Sequence, residues 1–466
     1  MNKYKKLVNN TLIFTIGTIG TKLLSVIFLK FYSGQLTKAQ ISTTELIQTT
    51  INLLIPIATL CIADGVLRYG LQKKPDFTKL YTAGSALTFM GVFVAGVFFP
   101  IFNFLEYSKG YALIMLFFLL GSSFRMLNQY FVRARGYSKL FAADGIFTTL
   151  LWLILNYAFL NEKVNMGVTG FLLAIIISDF CSSIFLIFFA QNYRFVNLRK
   201  IDKKLIKDML RYSIPLIPTY VLWWIVMASD KFLVRYMCDE DVNGLYSLAY
   251  KIPMLISVVS TVFFQAWQLS AISEHESDSK GAKKFYTNVF DAYISMMFVA
   301  SAGLMLLIKP VTALLISADK VECYIFSPFL IVGVLMSSLC QFLSSIYNVT
   351  KRSQNALWTS AIAAGVNMVL NIILISIMGP QGAAVSTMIS YFICCIVRIS
   401  DTQRYIKYKI SWRKMGFNSA VIFFMSLVLV CKLPAAPLWL ILGCAVIGLI
   451  NYPSILLTIR KILQNR

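Results

Sequence analysis

Apolar residues along this chain gather in long runs separated by short polar segments, without the strict alternation of a half-buried strand. A helix needs about 20 residues to cross a bilayer core roughly 30 Å thick. Fourteen runs reach that length, at 8–31, 42–67, 79–104, 110–132, 139–160, 166–190, 213–236, 242–270, 285–308, 324–348, 355–378, 381–399, 415–432 and 437–459. The second opens on a polar stretch, Ser42, Thr43, Thr44 and Glu45. Lipid leaves backbone polar groups no outside partner, so spans of unbroken apolarity are helical. The pattern therefore predicts an all-α integral membrane protein of about 14 transmembrane helices.

Composition agrees. Of 466 residues, 58% are apolar and 14% charged, against about 45–50% and about 25% in an ordinary soluble domain. Too few charges remain to coat a water-facing surface, which excludes a soluble enzyme. The net charge of +23 would suggest nucleic acid in a soluble protein, but its distribution says otherwise. With Met1 inside, 31 basic residues fall in inner segments and only six (Lys38, Lys109, Lys163, Lys309, Lys320, Lys432) in outer loops. Lys and Arg accumulate on the cytoplasmic side of membrane proteins, so both termini are expected in the cytoplasm, in the cell membrane, with no nucleic-acid partner. Met1 to Lys6 is basic, but the apolar run after it has span length and no small-residue cleavage site, so no cleavable signal is expected.

Cysteine and histidine add little. Seven of nine cysteines lie inside apolar runs, and no CxxC spacing occurs. Cys238 and Cys323 fall on the outer side, where a disulfide is conceivable, but small unpaired apolar residues are the simpler expectation. The one histidine, His275, sits in a charged loop, which argues against histidine metal or triad chemistry. The outer loops are short. Neither a catalytic domain nor a cofactor is expected, and the chain reads as a non-enzyme.

An amphipathic segment at 191–212, including Leu198 to Lys207, is expected to form an interfacial helix. It divides two stretches that resemble each other. Leu155-Asn156-Tyr157 matches Leu370-Asn371-Ile372, Gly167-Val168-Thr169-Gly170 matches Gly379-Pro380-Gln381-Gly382, and Ser178-Asp179-Phe180 matches Ser390-Tyr391-Phe392. Six spans separate the copies, so both share one orientation. Parallel six-helix repeats with a midplane site at the repeat interface are a transporter pattern. The expected organisation is an N-terminal lobe at 1–190, a cytoplasmic linker at 191–212, a C-terminal lobe at 213–400 and two additional helices in 401–466.

Three segments carry a resemblance: Asp230-Lys231-Phe232, Gly244-Leu245-Tyr246-Ser247-Leu248-Ala249-Tyr250-Lys251, and Ala63-Asp64-Gly65-Val66-Leu67-Arg68-Tyr69. Together with the layout, they make the chain similar to the multidrug/oligosaccharidyl-lipid/polysaccharide flippase superfamily, within it the polysaccharide-transporter branch. Many relatives carry Arg where this chain has Lys231, which keeps the charge but loses the bidentate fork. The resemblance implies a MATE-like fold. It also implies a flippase that moves a polyprenyl-diphosphate-linked glycan across the bilayer by alternating access for cell-surface polysaccharide biosynthesis. Polysaccharide polymerases and glycosyltransferases would be its partners. Two alternatives remain open: a cation-coupled multidrug exporter of the same fold, and a membrane glycan polymerase. Drug-exporting relatives usually have twelve spans, and fourteen favour the polysaccharide branch.

Charged side chains within spans are the candidate site, because an ion at the bilayer centre costs roughly 2.5–3.5 kcal/mol even on insertion scales. Asp64, Asp144 and Asp291 lie near the cytoplasmic face, where water or loop lysines can pair with them, and Lys30 can snorkel outward. In span 1, Thr11, Thr15, Thr18, Lys22 and Ser25 share a helical face, as do Glu45, Thr49 and Asn52 in span 2. Lys231 and Arg235 share a face of span 7, beside Asp230; Ser247 and Lys251 share one of span 8. In the resembling family spans 1, 2, 7 and 8 line the central cleft. Lys22, Arg125, Lys231, Arg235 and Lys251 are thus the candidate cations for a diphosphate. Tyr246 and Trp223, with Tyr220, Trp224, Tyr250, Gln265, Trp267 and Gln268, are candidates for sugar contact. Glu45, Asp179 and Asp230 are the coupling-ion candidates. Asp179 sits mid-span and reads as an unpaired carboxylate. The alternative is structural: Thr and Ser linking helices, a Glu45–Lys22 pair and an Asp230–Lys251 pair.

The basic-residue count yields a test. In a Cys-free background, Lys200→Cys should react with an impermeant maleimide only from the cytoplasm and Lys163→Cys only from outside; the opposite pattern reverses the topology.

Overall fold

A computed structural model describes residues 20–464 other than 22, 23, 27, 73, 262, 265–278 and 351. Among these, every regular element is helical. Twelve helices are long and apolar enough to cross a membrane, and a bent pair makes a thirteenth. The described parts of the first expected span, 20–21, 24–26 and 28–35, are helical as well. On the third span Phe89, Phe93 and Val97 recur every four residues and are 60%, 68% and 68% exposed. Such an apolar stripe on an open face is suited to acyl chains. The chain is a multi-pass, all-α membrane protein.

The chain divides into two compact units, Met1–Trp224 and Ile225–Arg466. Unit 1 holds α1 (Lys38–Ala58), α2 (Ile62–Gly70), α3 (Phe77–Phe98), α4 (Ala112–Ala134), α5 (Ser138–Leu160), α6 (Gly167–Phe189) and α7 (Lys203–Ser213). The second expected span is not one straight helix. It bends by 58° between α1 and α2, where Pro56 removes a helix donor and Leu60 and Cys61 take left-handed backbone. The expected interfacial helix starts at Lys203 rather than Leu198. The Asp202 carboxylate fixes that start by accepting from the Lys204 and Leu205 amides at 3.0 and 3.2 Å. Lys79 pairs with Asp202 at 3.0 Å and holds its carboxyl below the usual carboxylate range. The apolar face of α7 packs through Met209 onto Ile62, Val66, Leu80 and Phe131, while Lys203, Lys204 and Lys207 are exposed.

Helix α8 (Ile217–Met237) contains the boundary between the units. Unit 2 continues with α9 (Glu240–Ala249), α10 (Ser279–Leu306), α11 (Ile308–Leu315), α12 (Ser327–Val349), α13 (Ser353–Met378), α14 (Pro380–Thr402), α15 (Trp412–Val430) and α16 (Ala436–Gln464). The last two helices are bound into unit 2. Lys414 reaches Asp291 and Ser295 of α10 and Ser454 of α16 at 2.7 to 3.0 Å. Asn418 and Asn451 exchange side-chain amide bonds at 3.1 and 3.2 Å, an inter-helix bond of the kind that holds membrane helices together. All nine cysteines are free thiols, Cys238 and Cys323 included.

The two glycine tetrads matched in sequence have one physical role. Gly167 and Gly379 have φ of +54° and +59°, values a side chain disfavours, and each turns the chain from one span into the next. Three residues on, the helices cross closely. A Cβ on Gly170 would lie 3.0 Å from Phe159 Cβ, and one on Gly382 would lie 2.0 Å from the Leu374 carbonyl oxygen. Each unit thus folds its fifth and sixth spans back on each other through the same corner. Gly382→Ala must separate two backbones and should cost about 1–3 kcal/mol or more, read as a lower thermal midpoint and folded yield in detergent. Gly416→Ala, which meets no atom within 4 Å, should not.

Candidate functional site

Polar side chains inside unit 1 form one lattice across three helices. On α4, Ser122, Arg125 and Gln129 are spaced three and four apart and share a face. Arg125 Nη1 donates to Asp179 Oδ1 of α6 at 2.7 Å, and Ser122 donates to Asp179 Oδ2. The Asp179 side chain is 4% exposed, that of Arg125 28%. Asp179 is therefore not the unpaired carboxylate its sequence position suggests. One turn on, Ser182 donates to Asp144 Oδ1 at 2.6 Å and Gln129 Nε2 to Asp144 Oδ2 at 2.9 Å. Thr148 stands one turn along α5 from Asp144. Asp144 is fully buried, and among the described residues it is these side chains that bond it, rather than the loop lysines its place in the span suggested. Asp291 does find a lysine, Lys414, while Asp64 accepts from the Tyr220 hydroxyl at 3.3 Å.

The second cluster lies in unit 2 around Asp230 of α8, which is fully buried. Its Oδ2 accepts from Tyr250 at 2.6 Å, Tyr246 at 2.9 Å and Thr387 Oγ1 at 3.4 Å. Its Oδ1 accepts from the Lys231 amide at 2.8 Å. Thr387 also accepts from Asn367 Nδ2 at 3.4 Å, and Asn367 Oδ1 accepts from Asn371 at 3.0 Å and from Ser229 at 3.3 Å. Asn371 Oδ1 is buried without a hydrogen-bond partner among the described residues. Carboxylate, hydroxyl and amide oxygens thus converge between α8, α13 and α14, the oxygen-only donor set that a hard cation takes. Lys231 is half-buried beside them, its ammonium 5.3 Å from the Tyr250 ring centroid, a cation–π distance.

The structure gathers some sequence candidates and separates others. Arg125 joins Asp179, so one expected substrate ligand and one expected coupling group form a single ion pair. Asp230 joins Tyr246 and Tyr250. Tyr246 is fully buried with its hydroxyl committed to Asp230, so it presents no sugar-stacking surface. Arg235 is buried and pairs with Glu240 at 2.8 Å, near the end of α8 rather than at Asp230. Glu45 is buried in α1. Trp223 and Lys251 are half-buried, and the Trp224 indole donates to the Thr49 carbonyl at 2.8 Å. Lys22, Gln265, Trp267 and Gln268 lie outside the described residues.

Sequence reasoning discounted one group, Asp144, and missed another, Arg398. Asp144 was legible through the Ser122, Arg125, Gln129 spacing on the neighbouring span, which marks a polar face in need of acceptors. Arg398 counts with the basic loop after span 12, yet it is fully buried in α14. Its guanidinium reaches Thr359 Oγ1 at 2.9 Å, Ser360 Oγ at 2.8 Å, Ser344 Oγ at 2.5 Å and the Cys340 carbonyl at 2.9 Å. These partners come from α12 and α13. Nothing in the local sequence announces this; Arg398 falls at the end of the expected span 381–399, and the packing of α12 and α13 against α14 buries it.

Comparison with known proteins places this geometry. Residues 47–325 match the polysaccharide biosynthesis protein family. The probable low-salt glycan biosynthesis flippase Agl15 of Haloferax volcanii is 24% identical over 236 residues, 47% of this chain and 47% of that protein. The match therefore spans about half the length of that curated relative. An inward-facing multidrug resistance MATE family transporter of the MOP superfamily superposes with a TM-score of 0.70 at 14% identity, covering 87% of this chain and 98% of its own. The lipid II flippase MurJ, in an inward closed conformation, gives 0.70 at 14% identity over 97% and 100%. A MOP superfamily transporter from Pyrococcus furiosus gives 0.64 at 16% over 87% and 96%. These likenesses establish a shared fold.

The Arg125–Asp179 pair can be probed directly. Asp179→Ala strands a largely buried guanidinium, which should destabilise unit 1 by the lower end of about 3–5 kcal/mol. The double change Arg125→Gln, Asp179→Asn removes both charges and should recover most of the loss in thermal midpoint.

Proposed function

The chain belongs to the polysaccharide biosynthesis protein family, and on that premise we propose that it is a flippase for a polyprenyl-diphosphate-linked oligosaccharide. It would act by alternating access in the cytoplasmic membrane, with both termini in the cytoplasm. In this reading 1–190 and 213–400 are the repeat lobes, 191–212 the linker and 401–466 an accessory helix pair. The flippase name of the curated relative supports it.

One observation carries the reading: a buried carboxylate, Asp230, stands next to a half-buried ammonium, Lys231, inside a membrane span. Ionised groups in a span cost several kcal/mol and mark transport paths more often than they add stability. A diphosphate cannot cross hydrocarbon unaided, because losing its water shell costs tens of kcal/mol in the Born limit. A fixed ammonium replaces part of that shell. We assign the diphosphate to Lys231, with Lys251 and Lys22 as further cations, and Arg235 as a group that Glu240 holds until substrate competes for it. We assign the coupling cation to the oxygens around Asp230, with Thr387 and Asn367 as neutral ligands. Glu45 and Asp179 are secondary coupling candidates, Asp179 the weaker because Arg125 already compensates it.

The test is genetic and then biochemical. Deleting the gene should leave lipid-linked repeat units in the inner leaflet, and an unchanged leaflet distribution would discard the reading. In complementation, Lys231→Gln should lose about 10–100-fold in flipping, the worth of one charge-assisted contact. Lys231→Arg should restore it, since charge is kept. In proteoliposomes, Asp230→Asn should retain substrate binding but no longer respond to imposed Na⁺ or proton gradients.

A further inference from the structure

Unit 1 contains a cavity of about 250 Å³ beside the Arg125–Asp179 pair. Gln48, Arg125, Thr149, Trp152, Ser178 and Asp179 are among its lining residues. Two buried donors on this lining have no hydrogen-bond partner among the described residues, Arg125 Nε and Trp152 Nε1. A buried unsatisfied donor costs about 1–3 kcal/mol, so two on one small cavity point to a ligand that supplies acceptors. The Trp152 indole is held by edge contacts with Phe28 and Phe171, with ring centroids 5.2 and 6.0 Å away. Its place is therefore set before any ligand arrives.

Charge narrows the ligand class. Among the described lining residues the ionised groups are one cation and one anion, paired at 2.7 Å. Among the described residues the lining carries no net charge, and Asp144, bonded to Ser182 in the adjoining layer, adds no positive charge. A phosphate or diphosphate accepts hydrogen bonds only and would meet the Asp179 carboxylate. A cation would meet the Arg125 guanidinium. A neutral polyol suits both, because each hydroxyl donates to a carboxylate or amide oxygen and accepts from a guanidinium or indole N–H. Planar polar groups with an aromatic wall and serine and threonine hydroxyls give the mixed lining such a ring needs. The volume sits just below the roughly 300–1,000 Å³ typical of drug-sized ligands, which suits one ring rather than a whole repeat unit.

We infer that this cavity is a sugar subsite, which receives one pyranose ring of the transported glycan and leaves the diphosphate to other groups. The inference rests on the flippase reading above and deepens it. Recognition is divided: charge in unit 2 at Lys231 takes the phosphates, while a charge-balanced cavity in unit 1 reads the sugar.

The experiment is direct binding to the purified full chain in nanodiscs, which does not depend on flipping. The probes are methyl glycosides of common hexoses, N-acetylhexosamines and uronic acids, observed by saturation-transfer NMR, and inorganic pyrophosphate, observed by phosphorus line broadening. At least one glycoside should give a transfer signal that falls about tenfold, the equivalent of about 1.4 kcal/mol, in Trp152→Leu and in the charge-balanced double variant Arg125→Gln, Asp179→Asn. Thr149→Leu, which fills the cavity, should remove the signal as well, and thermal midpoints establish that each variant is folded. Pyrophosphate broadening should survive these changes and fall in Lys231→Gln. Absence of signal from every glycoside, a signal that persists in all three folded variants, or pyrophosphate binding lost with the unit 1 changes would each overturn the subsite. If the deletion strain shows no inner-leaflet accumulation while glycosides still bind here, the flippase reading fails and the subsite stands.

Discussion

Hydrocarbon gives a polar group nothing to bond, and the rest of this structure follows from that constraint. Backbone groups are satisfied inside helices. Side chains that carry charge must find partners on neighbouring helices or leave the span, since a buried lone ion costs far more than a buried pair. The chain meets this with clusters rather than isolated groups. Asp179 is reached by Ser122 and Arg125, Asp144 by Ser182 and Gln129, Asp230 by Tyr246, Tyr250 and Thr387, and Arg398 by the hydroxyls of Ser344, Thr359 and Ser360. Each cluster spans at least two helices, so the bonds that satisfy the charge also set how those helices pack.

The repeat shows how such clusters can differ while the scaffold stays the same. Both units fold spans five and six around a glycine corner, with a positive φ at Gly167 or Gly379 and a close helix crossing at Gly170 or Gly382. These positions answer to backbone geometry, which leaves little freedom. The side chains on the same helices are free to diverge. In unit 1 the sixth span carries Asp179 and meets an arginine; in unit 2 the sixth span carries Arg398 and meets hydroxyls and a carbonyl. One architecture therefore holds an ion pair beside a cavity in one unit and a buried cation network in the other.

This divergence bears on the proposed transport. A carrier of an amphiphile with a charged diphosphate and neutral sugars needs unlike environments for the two parts. Fixed charge suits the first, and a mixed donor and acceptor lining suits the second. Lys231, half-buried beside Tyr250, has the first character. The cavity with Arg125, Asp179 and Trp152 has the second.

Much of the fold is legible in the sequence. Run length alone predicts the spans, because bilayer thickness sets how many apolar residues a helix needs. The repeat shows through because its glycines obey the same backbone constraint twice. What pairing each charge would find was not legible. Asp179 and Arg125 are 54 residues apart in sequence, and only the packing of α4 on α6 makes one the partner of the other. Tyr246 reads as an aromatic open to sugar until α9 folds against α8 and turns its hydroxyl to Asp230. Arg398 counts with the basic loop cations until α12 and α13 pack against α14 and bury it. Membrane insertion acts on segments one at a time and so writes itself into linear composition. Charge satisfaction acts between segments, and only the tertiary structure decides it.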